Sequence, residues 1–236
     1  MVSKTRMLDW VRAFAAAQVD AGLTESPDLL TVRDERGRNW LHVCCGVDIK
    51  GEPAAAEASV ETARVLLAHG LPLDGAAFTE GAWQATPLWY AIGRGRNHTM
   101  ARFLLGLGCN PNYCLWAASF NKDIEAIRLL AAGGADLEDP SAGETPFLGA
   151  IRWSQYGPAE ELLRLGANPD FQDASGVTAL HYMLKKGADK AHFEPLIAHG
   201  ARGDIADANG VTAADLLRKK RDPNLRAIAD RLAKGA

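Results

Sequence analysis

Two short phrases recur in step along this chain, and together they leave room for few folds. The first reads Thr86-Pro87-Leu88, Thr145-Pro146-Phe147, Thr178-Ala179-Leu180-His181 and Thr212-Ala213-Ala214. Its spacing is 33 residues from Thr145 to Thr178 and 34 from Thr178 to Thr212. The second is an aliphatic pair followed closely by Gly: Leu66-Leu67 with Gly70, Leu104-Leu105 with Gly108, Leu129-Leu130 with Gly134, Leu162-Leu163 with Gly166, and Leu196-Ile197 with Gly200. A sustained period of this length means a stacked array of small units.

Each phrase has a local physical reading. Thr-Pro starts a helix: the hydroxyl can cap an orphan backbone N–H, and Pro at the first helical position has a suitable fixed φ. The Gly after the aliphatic pair supplies the left-handed residue that ends a second helix. Gly143, Gly176 and Gly210 each stand two residues before the next Thr, where a tight turn needs positive φ. One unit is therefore turn, helix, link, helix. Neither helix can bury its apolar face alone, so the units must stack.

These phrases resemble the ankyrin repeat, with its threonine-proline-leucine-histidine-x-alanine helix start and its period of about 33 residues. The resemblance covers roughly residues 34 to 232. It implies an all-α solenoid of about five to six stacked helix-turn-helix units, with β-turn fingers and helical caps. The expected divisions are an N-terminal helical cap at 1–33, repeats at 34–74, 75–112, 113–139, 140–172 and 173–206, and a C-terminal capping repeat at 207–236.

Departures from the pattern add further expectations. Asn39-Trp40 replaces Thr-Pro in the first unit, which predicts a weaker helix start. Residues 46–59 read as an inserted flexible loop, from their Gly, Pro and Ala content. The second finger, from Asp74 to Thr86, is long, and the third unit, entered through Asn112-Tyr113-Cys114, has almost no finger. Residues 4 to 20 read as one capping helix with Met7, Val11 and Phe14 on a stripe, and Ser26-Pro27-Asp28 as the start of a second. After the cationic run Arg218-Lys219-Lys220-Arg221, Pro223 opens a last helix holding Leu225, Ile228 and Leu232.

Composition excludes several function classes. A formal net charge of −3 argues against a nucleic-acid binder. No apolar run approaches the ~20 residues that span a bilayer, and Asp9 and Arg12 interrupt any N-terminal signal sequence. Four cysteines, Cys44, Cys45, Cys109 and Cys114, do not make a disulfide framework in a chain of 236 residues. The expected protein is cytoplasmic, with reduced thiols, and monomeric because both ends are capped. Its Ala- and Arg-rich, Lys-poor repeats point to a bacterial source, and a secreted effector is one variant of the protein-binding reading reached below.

No constellation supports catalysis, a metal or a cofactor. The resemblance makes His42 and His181 structural, hydrogen-bonding within and between turns. His42, Cys44 and Cys45 do not share one helical face, and Cys109 and Cys114 lack zinc-knuckle spacing. Gly93-Arg94-Gly95-Arg96 follows a helix rather than a strand, so it is not a phosphate loop. Glu160 and Glu161 belong on a solvated outer helix.

What remains is binding. The resemblance implies that a partner protein meets the finger tips and inner helices, on the concave face. Exposed finger positions are Glu35, Arg36 and Arg38; Phe78, Glu80 and Trp83; Ser141 and Glu144; Ala174, Ser175 and Val177. Exposed inner-helix positions are Arg94, Ser119, Phe120, Arg152, Trp153 and Lys185. Aromatic and arginine residues dominate interface hot spots, so Phe120 and Trp153, flanked by Arg94 and Arg152, are the expected centre of the site. Trp10, Trp40, Trp89 and Trp116 are expected to pack. The alternative is a small-molecule or modified-peptide reader, with Trp89, Trp116 and Trp153 caging a cation.

Overall fold

The computed structural model describes residues 1–140 and 143–234, so the finger position Ser141 and the last two residues of the 207–236 repeat lie outside it. Chain contacts divide it into two compact units, Met1–Ala118 with Arg128–Ala135, and Ser119–Ile127 with Asp136–Ala236. The exchange falls within residues 113–139, where the finger was expected to be shortest.

The first unit opens with α1 (Lys4–Arg12) and α2 (Ala16–Glu25), followed by a 3-10 turn at Pro27–Thr31. The single helix expected over residues 4 to 20 is thus two, broken where Phe14 takes φ +55°. The break has a tertiary cause. α1 packs on α3 (Trp40–Cys45), while α2 packs on α4 (Pro53–Ala68), so one inner and one outer helix are needed. The second start at Ser26-Pro27-Asp28 yields only the 3-10 turn, whose Leu29 carbonyl accepts the Trp40 indole N–H at 2.7 Å.

The expected loop at 46–59 also needs correction, because α4 begins at Pro53. Pro at the first helical position and the run Ala54-Ala55-Ala56 favour helix over loop. Nor is the first helix start weak. The Asn39 side chain accepts the His42 backbone N–H at 3.1 Å, the bond a threonine would make. Next come a hairpin of β1 (Thr79–Glu80) and β2 (Trp83–Gln84), α5 (Pro87–Tyr90), a π turn at Ala91–Gly95, and α6 (His98–Gly106). Gly81 at φ +59° sits first in the two-residue hairpin loop, as a type II′ turn requires. Helix α5 packs on α3 and helix α6 on α4, which continues the two rows.

Helices α7 (Leu115–Phe120) and α8 (Ile124–Ala132) are shared between the units. In the second unit α9 (Pro146–Arg152), α11 (Ala179–Lys186) and α13 (Ala213–Arg218) form the inner row. Helices α10 (Tyr156–Arg164), α12 (Phe193–Ala198) and α14 (Pro223–Lys234) form the outer row. The hydroxyls of Thr86, Thr145 and Thr212 accept the N–H three residues on at 3.1–3.2 Å. The aliphatic pairs supply the core, with Leu66, Leu104, Leu130 and Leu162 fully buried.

Polar bonds stitch each helix pair to the next. His42 Nε2 donates to the Gly75 carbonyl at 2.7 Å, and His181 Nε2 to the Val211 carbonyl at 3.0 Å. Carboxylates repeat the theme lower down. Asp74 accepts the Asn110 N–H, Glu138 accepts that of Asn168, and Asp170 that of Arg202, at 2.7–2.9 Å. Three of the fingers are folded by an aspartate three residues before the turn glycine. Asp34, Asp173 and Asp207 each accept two backbone N–H groups, from Arg36 and Arg38, Ser175 and Val177, and Asn209 and Val211.

Candidate partner-binding site

The second unit brings two predicted site residues together. Phe120, at the end of α7, and Trp153, just past the end of α9, are 49% and 56% exposed. Their rings meet edge to face, with centroids 6.0 Å apart at 86°. Such a pair is a rigid apolar projection with little side-chain entropy to lose on contact.

Polar groups beside Trp153 on α9 and its neighbour α11 are fixed rather than loose. Arg152 Nη1 donates to Glu144 Oε2 at 2.5 Å, and its guanidinium carbon lies 5.5 Å from the Tyr182 ring centroid. The Glu144 hydrogen bond raises the Arg152 pKa further, so the charge is permanent. Tyr182 in turn donates its hydroxyl to Asp173 Oδ2 at 2.6 Å. Burial, then that bond, pushes the Tyr182 hydroxyl up to about 12. Burial works against the Asp173 charge, but Tyr182 and the finger N–H groups outweigh it and hold the carboxyl below its ordinary range.

Three expected surface positions are not on the surface, among them Glu161, which is 5% exposed on the outer helix α10. Glu144 is 5% exposed, because the salt bridge to Arg152 turns it inward. Ser119 is 2% exposed, since one residue earlier on α7 lies about 100° round the helix from Phe120, on its buried side. Lys185, Ala174 and Ser175 are exposed as expected, and Val177 is half-buried. Asp173 and Tyr182 were missed by pattern reading, although the recurrent Asp-x-x-Gly of the fingers was legible at Asp34, Asp173 and Asp207.

The first unit holds the other predicted residues. Phe78, Trp83, Trp89 and Tyr90 form a run of edge-to-face contacts with centroids 5.1–5.3 Å apart, which ends on His42 at 5.5 Å. The Trp83 indole N–H donates to the Tyr113 carbonyl at 3.3 Å, which ties the finger down and leaves Trp83 half-buried. A cavity of about 840 Å³ opens beside this run, lined by Phe78, Trp89 and Tyr90 together with Arg36, Arg38 and Arg94. Trp116 and Trp153, expected with Trp89, do not line it. Arg38 is neutralised by Asp34, Nε to Oδ2 at 2.7 Å. Burial disfavours that carboxylate, yet the Arg38 side chain and two backbone N–H groups hold its pKa below normal.

The thiols are inert by environment. Burial pushes Cys44 and Cys109 up to about 12 and Cys45 well above its ordinary value. Among the described residues, no three His, Cys, Asp or Glu side chains converge to hold a metal. No described helix is long and apolar enough to cross a membrane.

The ankyrin-repeat family model matches residues 83–114. Among solved structures, the ankyrin repeat domain of Bcl-3, described as a unique member of the IkappaB protein family, superposes with a TM-score of 0.72. That match is 20% identical and covers 95% of this chain and 97% of the other. The chain has the ankyrin-repeat fold. The ankyrin repeat domain of human ASB11 superposes at a TM-score of 0.68, with 18% identity over 100% of this chain and 98% of that one. Human SH3 and multiple ankyrin repeat domains protein 2 is 31% identical over 96 residues, 36% of this chain. The chain spans only 5% of that relative's length. Ankyrin repeat domains generally mediate protein–protein interactions, and this chain carries their fold along most of its length.

Proposed function

We propose that this chain is a non-catalytic adaptor or regulator that binds a partner protein through the inner-helix and finger side of its repeats. Within the second unit, Phe120 and Trp153 form the centre of contact, and Arg152, held by Glu144, sets a fixed guanidinium beside them. The observation that carries the reading is the half-exposed, mutually packed ring pair. Folded chains seldom leave two large adjacent rings in water without a use for them. The proposed setting is cytoplasmic and the proposed free state monomeric.

The competing idea of a cation cage loses ground at the cavity where Trp89 and Tyr90 gather. Three arginines line it, and they would repel a cationic ligand. The test is capture of partners from the native cell by the tagged protein, run beside a Phe120→Ala, Trp153→Ala variant of equal helicity. Direct partners retained by the native chain and lost by the variant support the reading. Equal capture by both would overturn it.

A further inference from the structure

The first unit gathers positive charge on a chain whose net charge is −3. Its cavity beside Trp89 carries Arg36, Arg38 and Arg94 against Glu35. A neighbouring cavity of about 580 Å³ shares Arg36 and Arg38 and adds Lys4 and Arg12. The first finger is the ridge between the two. Its turn is held in place by a close approach: a Cβ on Gly37 would lie 2.1 Å from the Ala77 carbonyl oxygen.

These cations differ in what they already do. Arg38 is spent on Asp34 and lies over the Tyr90 ring at 5.7 Å. Among the described residues, Arg36 and Arg94 make no side-chain hydrogen bond or ion pair. Arg94 rides on the π turn at Ala91–Gly95, a rare backbone form that concentrates at functional sites. The Tyr90 hydroxyl likewise has no hydrogen-bond partner among the described residues, and burial pushes its pKa up, so it stays a donor. Two open guanidinium groups and one phenol donor border a wall of aromatic rings.

We infer that this paired cavity binds an extended acidic peptide segment of a partner protein, with a carboxylate on Arg36 and Arg94 and an adjacent apolar side chain against Phe78 and Trp89. Guanidinium forks match carboxylates in geometry and charge, and the rings supply the apolar half of the contact. A nucleic acid fits less well. The rings pack on one another edge-on rather than offering open faces for base stacking. The inference rests on the protein-binding reading above, but not on the Phe120–Trp153 patch.

The test is selection of a random 12-residue peptide display library on the full chain, repeated on an Arg36→Gln, Arg94→Gln variant and on Phe120→Ala, Trp153→Ala. The expected result is enrichment of peptides with Asp or Glu beside an aromatic or aliphatic residue. Their affinity should fall at least about tenfold with the arginine variant and more at low salt than at high, but hold with the ring variant. Circular dichroism confirms that both variants keep the native helicity. Enrichment without acidic residues, enrichment unaffected by the arginine changes, or no enrichment overturns the inference. So does binding confined to phosphotyrosine peptides or to a single-stranded oligonucleotide in parallel titrations. Loss with the ring variant alone would leave the adaptor reading standing and remove this one.

Discussion

Trp153 meets Phe120 edge to face across 6.0 Å, with both rings about half in water. Neither ring is part of the core that holds the repeats together. Phe120→Ala with Trp153→Ala is therefore expected to shift the unfolding free energy by less than about 1 kcal/mol. Urea unfolding at constant m-value checks this, and a larger loss would make the pair structural.

Arg152 and Glu144 behave in the opposite way. Removing Arg152 strands a carboxylate that is 5% exposed. Because the arginine side chain itself is about half in solvent, the expected cost of Arg152→Ala is about 1–3 kcal/mol rather than that of a fully buried pair. Lys185→Ala, on an exposed side chain, should stay within about 0.5 kcal/mol. The difference between their urea midpoints is the readout.

His42 gives the fold a pH dependence. Burial, foremost, lowers its pKa from 6.5 to about 4, so the folded chain holds it neutral. Below pH ~6.5 the unfolded chain takes up a proton that the folded one refuses. The stability tied to neutral His42 is thus fully present above about 6.5 and is lost as pH falls toward about 4. Its full size is on the order of 3 kcal/mol. His42→Gln should lower the melting temperature at pH 7 and flatten its decline between pH 6.5 and 4.5. An unchanged slope would place the pH dependence elsewhere.

Two turn glycines with the same backbone should respond differently. Gly37 and Gly210 both have φ +74°, but a Cβ meets the Ala77 carbonyl oxygen at 2.1 Å in the first and open space in the second. Gly210→Ala is expected to cost about 1 kcal/mol from the left-handed conformation alone. Gly37→Ala adds displacement of the second finger, and should cost at least about 2 kcal/mol. Thermal denaturation of the two variants compares them directly.

What was legible in the sequence was what local chemistry decides. Thr86, Thr145 and Thr212 announce their helices because capping is a contact between residues three apart. Phe120 was legible as exposed because it stands where the repeat shows a solvent-facing position, although the same reading misplaced Ser119 beside it. What escaped was decided by distant partners. The break at Phe14 answers the need to place α1 on α3 and α2 on α4. Glu144 is buried because Arg152 reaches back to it. The helix from Pro53 was hidden differently: comparison with the usual repeat length marked 46–59 as extra, while its Pro-Ala-Ala-Ala wording favoured helix all along.

The most direct test is the dissociation constant of a purified partner, measured by titration calorimetry for the native chain and the Phe120→Ala, Trp153→Ala variant. The account predicts binding weakened by at least about 30-fold, the loss of about 2 kcal/mol typical of a hot spot. Equal affinity for both chains would contradict it.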